Sequence, residues 1–421
     1  MPAVILSSLL AWACPQPAQA ELVSFAQVTN TTAGGSDASA LNANGTRIAF
    51  KSTANLVNAG GCPALPGNAD GNAEIYLFDT TTNCYTQVTN TTTNPNFDLS
   101  INAAGTRIAF VSFNNLVNPG GCPALPGNAD GNGEIFLFDT TVGCYSQVTN
   151  TTGGGSGAPS INFVGTRVAF ASVSNLVNPG GCSALPGNAD GNSEIYLFDS
   201  TTGCYAQVTT TTAGNSFDPS ISAAGGRVTF RSTANLANPG GCSALPGNID
   251  GNSEIYLFDS ATGCYTQVTT TTAGNSFSPS LQADGNRILF SSLSNLANPA
   301  GCAGLPGNAD GFPEIYLFDT VSGCYVQVTN TTASNNIQPS LNADGTRIAF
   351  SSTGNTTQLT PCLGCPGNAD ANFEMFLASV STPVPTLSEW VQLVMVVLLL
   401  FGGLLALRRR GAPTLRPGRS R

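Results

Sequence analysis

One tetrapeptide pattern, Gly-Asn-x-Asp, recurs along the chain with its aspartate at 70, 130, 190, 250, 310 and 370, a period of 60 without insertion or deletion. A unit of that length cannot bury an apolar face alone, so the copies must stack as blades or as a solenoid. In the fourth copy a small-residue stretch (Asp218, Pro219, Ser220, Ile221) precedes a Gly turn and a short strand, Arg227 to Phe230. A long Gly/Pro loop follows, then two more strand-like runs starting at Glu254 and Cys264. Ile255 and Leu257 alternate with Tyr256 and Phe258, so both faces of that strand are apolar and both must be covered. No window shows helical periodicity, and Gly, Pro, Thr and Asn punctuate the chain every ten residues or so, which excludes a helical solenoid. Six copies of four short strands predict an all-β, six-bladed β-propeller over residues 21–380, with a parallel β-helix as the alternative.

The ends of the array agree with a ring. Residues 24–30 align, at a shift of 60, with residues 84–90, so the array opens with a lone fourth strand, while the last copy stops after its third. The N-terminal strand is expected to complete blade six and remove the free sheet edges. Gly-Thr-Arg-Ile-Ala-Phe at 45–50 and Glu-Ile-Tyr-Leu-Phe-Asp at 74–79 resemble the repeat of TolB-like propellers over roughly residues 24–380. The copies depart from that family in the long loop between strands two and three and in carrying two cysteines each. Neither the extra N-terminal domain of TolB nor a peptidase domain is expected, so no activity is carried over.

Charge is divided sharply. All 24 acidic residues lie between Glu21 and Glu389, against eight basic ones, and the other six arginines (408, 409, 410, 416, 419 and 421) crowd the last fourteen residues. An acidic body repels phosphate backbones, so nucleic acid is not an expected partner. Residues 1–20 read as a signal peptide: an apolar run at 4–13, then Pro15, Pro17 and a small-x-small site at Ala18-Gln19-Ala20. Cys14 falls within it and is lost on cleavage, although it also invites a lipoprotein reading. Residues 391–407 carry no charge and as a helix would span about 26 Å, enough for a single transmembrane crossing with Trp390 at the interface. The basic tail at 408–421 then stays cytoplasmic and the body faces outward.

Within the linker at 381–390, Pro385, Thr386, Leu387, Ser388, Glu389 and Trp390, followed by the apolar span and an Arg cluster, resemble the IPTL-CTERM sorting signal of Gram-negative bacteria, with Val384 where the family usually has Ile. The resemblance implies handling by an exosortase-type membrane protease, an inner-membrane-anchored intermediate, and delivery to the cell surface or extracellular matrix.

An exported chain should oxidise its cysteines. Cys62 and Cys84 recur as Cys122 and Cys144, Cys182 and Cys204, Cys242 and Cys264, and Cys302 and Cys324, while the last copy carries Cys362 and Cys365. Pairing within copies leaves no mature cysteine alone. Pairing across copies strands Cys62 and Cys365, because Ser24 stands where blade six would need its fourth-strand cysteine, so pairing within copies is favoured. Thiolate metal ligation is disfavoured by the oxidising compartment and the absence of histidine.

Asn68, Asp70, Asn72 and Glu74 place oxygen-bearing side chains around Gly71, a set suited to calcium, but the glycine position and the missing downstream acid depart from the EF-hand loop. A tight Asp-Gly turn accounts for the same residues. Asn-Thr-Thr at 30, 90, 150 and 330 matches a glycosylation sequon but reads as a polar surface turn. The arginines at 47, 107, 167, 227, 287 and 347 are expected to pair with carboxylates rather than to ring an anion, and the serines at 100, 160, 220, 280 and 340 to line the channel. With no histidine and no cluster unique to one copy, neither a catalytic site nor a cofactor is expected. The function expected is a binding module for a protein or polysaccharide ligand. The alternatives are a structural matrix component and a calcium-binding or hydrolytic propeller.

Overall fold

The computed structural model of the chain describes residues 28–332, 334–354 and 373–379. These form strands, turns and loops, with no helix and so none able to cross a membrane among the described residues. The signal peptide, Ser24, Cys362 with Cys365, the sorting motif, the apolar span at 391–407 and the arginine tail all lie outside them.

The first copy folds as an antiparallel meander of Ser36–Leu41 (β1), Arg47–Ser52 (β2), Glu74–Asp79 (β3) and Cys84–Gln87 (β4). Four more four-stranded sheets repeat it, and a sixth holds Asn336–Leu341, Arg347–Ser352 and Glu374–Ser379. These are six propeller blades, with the first strand of each innermost, against the first strand of the next. Register repeats too: Arg167 opposes Asp199 as Arg47 opposes Asp79. Each inner strand carries a bulge that holds a non-glycine residue at positive φ (Ala38, Asp98, Ala158, Asp218, Ser278, Gln338). Such a bulge bends the strand where six blades crowd one axis.

The two-faced third strand explains the stacking. Ile195 and Leu197 of blade three pack with Val228, Phe230 and Tyr256 of blade four in one cluster, and the same layer recurs between the other neighbouring blades. Phe230 stacks on Tyr256 with ring centroids 5.9 Å apart. Small groups stitch the layers together. Ser160 Oγ accepts a hydrogen bond from Ile221 N, and Ser100, Ser220 and Ser280 do the same for the following blade. These serines, part-exposed on the innermost strands, therefore also bind blade to blade, a role beyond the channel lining expected of them. Tyr145 Oη donates to Val88 O across the outer strands, and Tyr85 Oη donates to Val28 O in the same manner.

Ring closure by the N-terminal strand is not seen in the described residues. Val28 packs on blade one where Val88 packs on blade two, but residues 24–27 lie outside the description. Among the described residues the layer between blades six and one is missing: Leu377 is 61% exposed where Leu137 and Leu197 are 5% and 6%, and Leu41 is 59% exposed where Ile101 is 9%. No arginine lies against Gly45, whereas Arg47 lies against Gly105 and Arg107 against Gly165. The seam needs apolar surface from both end blades, and the described part of blade six has one strand fewer than the others.

Disulfides join Cys62–Cys84, Cys122–Cys144, Cys182–Cys204, Cys242–Cys264 and Cys302–Cys324, the register within copies. Each ties the long loop to its own outer strand across Cα–Cα distances of 5.6 to 5.7 Å. Loop-closure entropy gives each bridge a stabilisation of about 3 kcal/mol. Replacing Cys182 and Cys204 together by serine should therefore lower unfolding free energy in urea by roughly that amount. Loss of less than about 1 kcal/mol would show that the loop is held by its polar contacts instead.

Candidate functional site

Between blades the long loop and the crossover that leaves the outer strand face each other across a groove. At the boundary of blades two and three it encloses about 800 Å³, lined by the crossover at 147–154, the loop at 173–179, and Phe198 and Tyr205. The equivalent groove between blades one and two is about 610 Å³, and part of it recurs between three and four with Thr211, Asn235 and Tyr265. Asn178 fixes one wall: its amide donates to Ser183 O and Tyr205 O at 2.7 and 2.8 Å, and its Oδ1 accepts from Tyr205 N. Val117 and Val177 on this wall are each 79% exposed. An exposed valine beside amides and an aromatic edge offers apolar contact and directed hydrogen bonds together, as ligand grooves do.

The opposite wall is braced from behind by the third strand's first residue. Glu134 is fully buried, and its Oε1 accepts from Thr151 N and Thr151 Oγ1, both at 2.6 Å. Glu74 and Glu314 hold Thr91 and Thr331 in the same way. Burial pushes these carboxyls up from the usual range, and threonine hydroxyls partly offset it. At Thr91, Thr151 and Thr331 the first threonine of Asn-Thr-Thr is therefore a buried strut, while the asparagine before it and the threonine after it are exposed as expected of a surface turn. The missed signal was the pairing of an invariant Glu with a Thr seventeen residues later in every complete copy.

Of the calcium candidates, Asn68 and Glu74 are buried, Asn72 is half-buried and Asp70 is exposed. Asn68 Nδ2 donates to Asn72 O at 2.8 Å, and Asn72 Nδ2 reaches the Thr91 hydroxyl that also binds Glu74, so these three are brought together. Asp70 instead accepts from Asn72 N across Gly71, whose φ of 71° suits the expected tight turn. Among the described residues no group of three acidic, cysteine or histidine side chains forms a metal cluster.

The arginines pair as expected. Arg47, Arg107, Arg167, Arg227 and Arg287 reach Asp79, Asp139, Asp199, Asp259 and Asp319 at 3.0 to 3.7 Å. Arg167 also donates to Gly225 O of the next blade, so each pair doubles as an interblade tie. In blade six Ser379 opposes Arg347, so the partner acid of the other copies is replaced there.

No family model matches the sequence, and no curated protein does. Solved structures similar in shape include TolB from Acinetobacter baumannii, at TM-score 0.44 and 18% identity over 81% of this chain and 65% of that one. A putative TolB from Agrobacterium tumefaciens aligns at TM-score 0.43 and 12% identity over 83% of this chain and 91% of that one. The β-propeller domain of the Trilobed protease from Pyrococcus furiosus, described as having an open velcro topology, aligns at 0.44 and 10% over 84% and 85%. This chain thus spans just under two thirds of the Acinetobacter protein. The blades are established by the strand order and register seen here; function must come from the site.

Chiefly the Thr81 hydroxyl, with the Thr81 amide and Arg47, holds the Asp79 carboxyl below its usual 3.8. A depressed acid stabilises the fold above its unfolded pKa and loses that contribution as pH falls through the folded value. Asp79→Asn should cost about 0.5–1 kcal/mol at neutral pH, a modest amount for a part-exposed pair. Its unfolding curve should converge with that of the parent in strong acid. An equal deficit at both pH values would show that the cost is not the charge.

Proposed function

We propose that the protein is a non-enzymatic binding module, exported and carried to the surface or matrix of a Gram-negative bacterium by its C-terminal sorting sequence. Five disulfides support an oxidising compartment. The exosortase-type protease is the proposed partner for delivery, and the C-terminal span is the proposed transient anchor. The observation that carries the binding role is the groove recurring between successive blades with the same amide, threonine and aromatic lining. An array of equivalent grooves suits an extended ligand with its own repeat, a polysaccharide or a protein strand, because weak contacts at spaced sites multiply.

Val117 and Val177 are exposed, so Val117→Glu with Val177→Glu changes the grooves without touching the core. Saturable binding of purified protein to polysaccharide from the producing cells' matrix should weaken in the double variant by at least about tenfold, a change of about 1.4 kcal/mol. Retention that neither saturates nor responds to the substitutions would support a structural matrix component, and turnover of the polysaccharide would overturn the non-enzymatic reading. The topology has its own check: protease added outside spheroplasts should digest the body and spare the arginine tail.

A further inference from the structure

Behind the groove wall of blade two, the asparagine and Thr151 donors are all spent and three oxygens are left without one. Asn128 Nδ2 donates to Asn132 O at 2.9 Å. Asn132 Nδ2 donates to Thr151 O, Thr151 Oγ1 and Gly154 O at 3.0, 2.9 and 2.8 Å. Thr151 in turn satisfies only Oε1 of Glu134, and the Thr149 hydroxyl, which accepts from Ile135 N, also lies against this carboxylate. Asn128 Oδ1, Asn132 Oδ1 and Glu134 Oε2 remain buried and unpartnered, with Asn128 4% and Glu134 0% exposed. Reversing either amide would set its oxygen against carbonyls, so the orientation is fixed by the acceptors already in place. Blades three and four repeat the set as Asn188, Asn192 and Glu194, and as Asn248, Asn252 and Glu254. Protein interiors rarely leave such acceptors empty.

The other copies supply an internal comparison. In blade one the next blade offers Asn96, whose Nδ2 donates to Glu74 Oε2 at 3.1 Å. In blade five Asn336 does the same for Glu314 at 3.2 Å, and Phe312 takes the place of the second asparagine. Where blades two, three and four meet their neighbours, the corresponding residues are Ser156, Ser216 and Ser276, whose hydroxyls bond instead to Ser172, Ser232 and Ser292. A serine therefore goes with a bare carboxylate oxygen, and an asparagine with a filled one.

One water carries two protons and cannot serve three acceptors. A cation can. Two amide oxygens and one carboxylate oxygen form a hard donor set without nitrogen or sulfur, and adjoining Asp130, Asp190 and Asp250 add negative potential at the loop surface. We propose that the loops at 128–134, 188–194 and 248–254 each bind one calcium ion through the two asparagine Oδ1 atoms and the glutamate Oε2, with water completing the shell. A single carboxylate per site places affinity in the class of extracellular modules, a Kd of about 10⁻⁴–10⁻³ M. The ion would brace Thr151 and its equivalents, and through them the groove wall.

Equilibrium dialysis of the chelator-treated full chain against calcium chloride alone tests this. Three ions per chain are expected for the parent protein. Ser156→Asn should copy the arrangement of Asn96 and reduce the count to two. Asn96→Ser should free Glu74 Oε2 beside Asn68 and Asn72 and raise the count to four. The reciprocal pair keeps the test decisive if one variant fails to fold. No binding up to about 20 mM calcium, well above the affinity class named, would overturn the proposal in favour of bridging waters. A stoichiometry that ignores both substitutions would overturn it in favour of nonspecific attraction to the acidic surface.

Discussion

Everything in this protein follows from a strand that is apolar on both faces. Ile255 and Leu257 point toward one neighbouring blade, Tyr256 toward the other, and all three are buried. A sheet of this kind cannot end in water, so each blade requires another on each side, and six covalently linked copies supply them. The polar ties between blades then set the spacing: the serine Oγ at the inner strand, the arginine on the next blade's turn, and the tyrosine hydroxyl at the rim. None of them stacks the blades alone. Together they fix the angle at which apolar layers meet, and hence the width of the grooves at the periphery.

The same requirement explains the seam. Leu41 and Leu377 carry the residue types of interior layers and yet are exposed, so the two end blades present the surfaces that a ring would join. Hydrophobic matching at such a seam is nondirectional. What selects one partner surface over another is the arginine and serine ties, and Gly45 lacks its arginine neighbour.

Strand order and disulfide pairing were legible in the sequence because near-copies restate them, the cysteine pair five times, and an alternating strand has only one way to keep its apolar residues covered. The Arg–Asp pairs were legible because excess carboxylates left each arginine with an acid nearby. The role of Glu134 was not. A carboxylate at a strand start looks solvated in sequence, and only folding brings Thr151 onto it from across the outer strand. Nor could sequence separate Asp190, which accepts from Asn192 N, from Asn188 and Glu194. Alternation puts oxygens around a glycine, but the turn spends the aspartate on its own backbone while the flanking residues go inward. That Ser156 stands where the preceding copy has Asn96 matters only in the fold, where the change leaves Glu134 Oε2 without the amide that Glu74 Oε2 receives.

The bridges have a consequence for how the blades withstand proteolysis. Ahead of β3, the bridged segment between Cys62 and Cys84 carries a mostly exposed stretch at 63–71 rich in proline and glycine, the kind of backbone most open to cleavage. A cut anywhere between the two cysteines leaves both new ends attached to the same blade by sulfur. A molecule nicked once keeps its mass and its order of blades, and a single cut must fall outside the bridged segment before the chain can come apart. Covalent closure within each copy thus gives the body a tolerance of damage that pairing across copies would not give, since a bridge to a neighbour leaves this loop open.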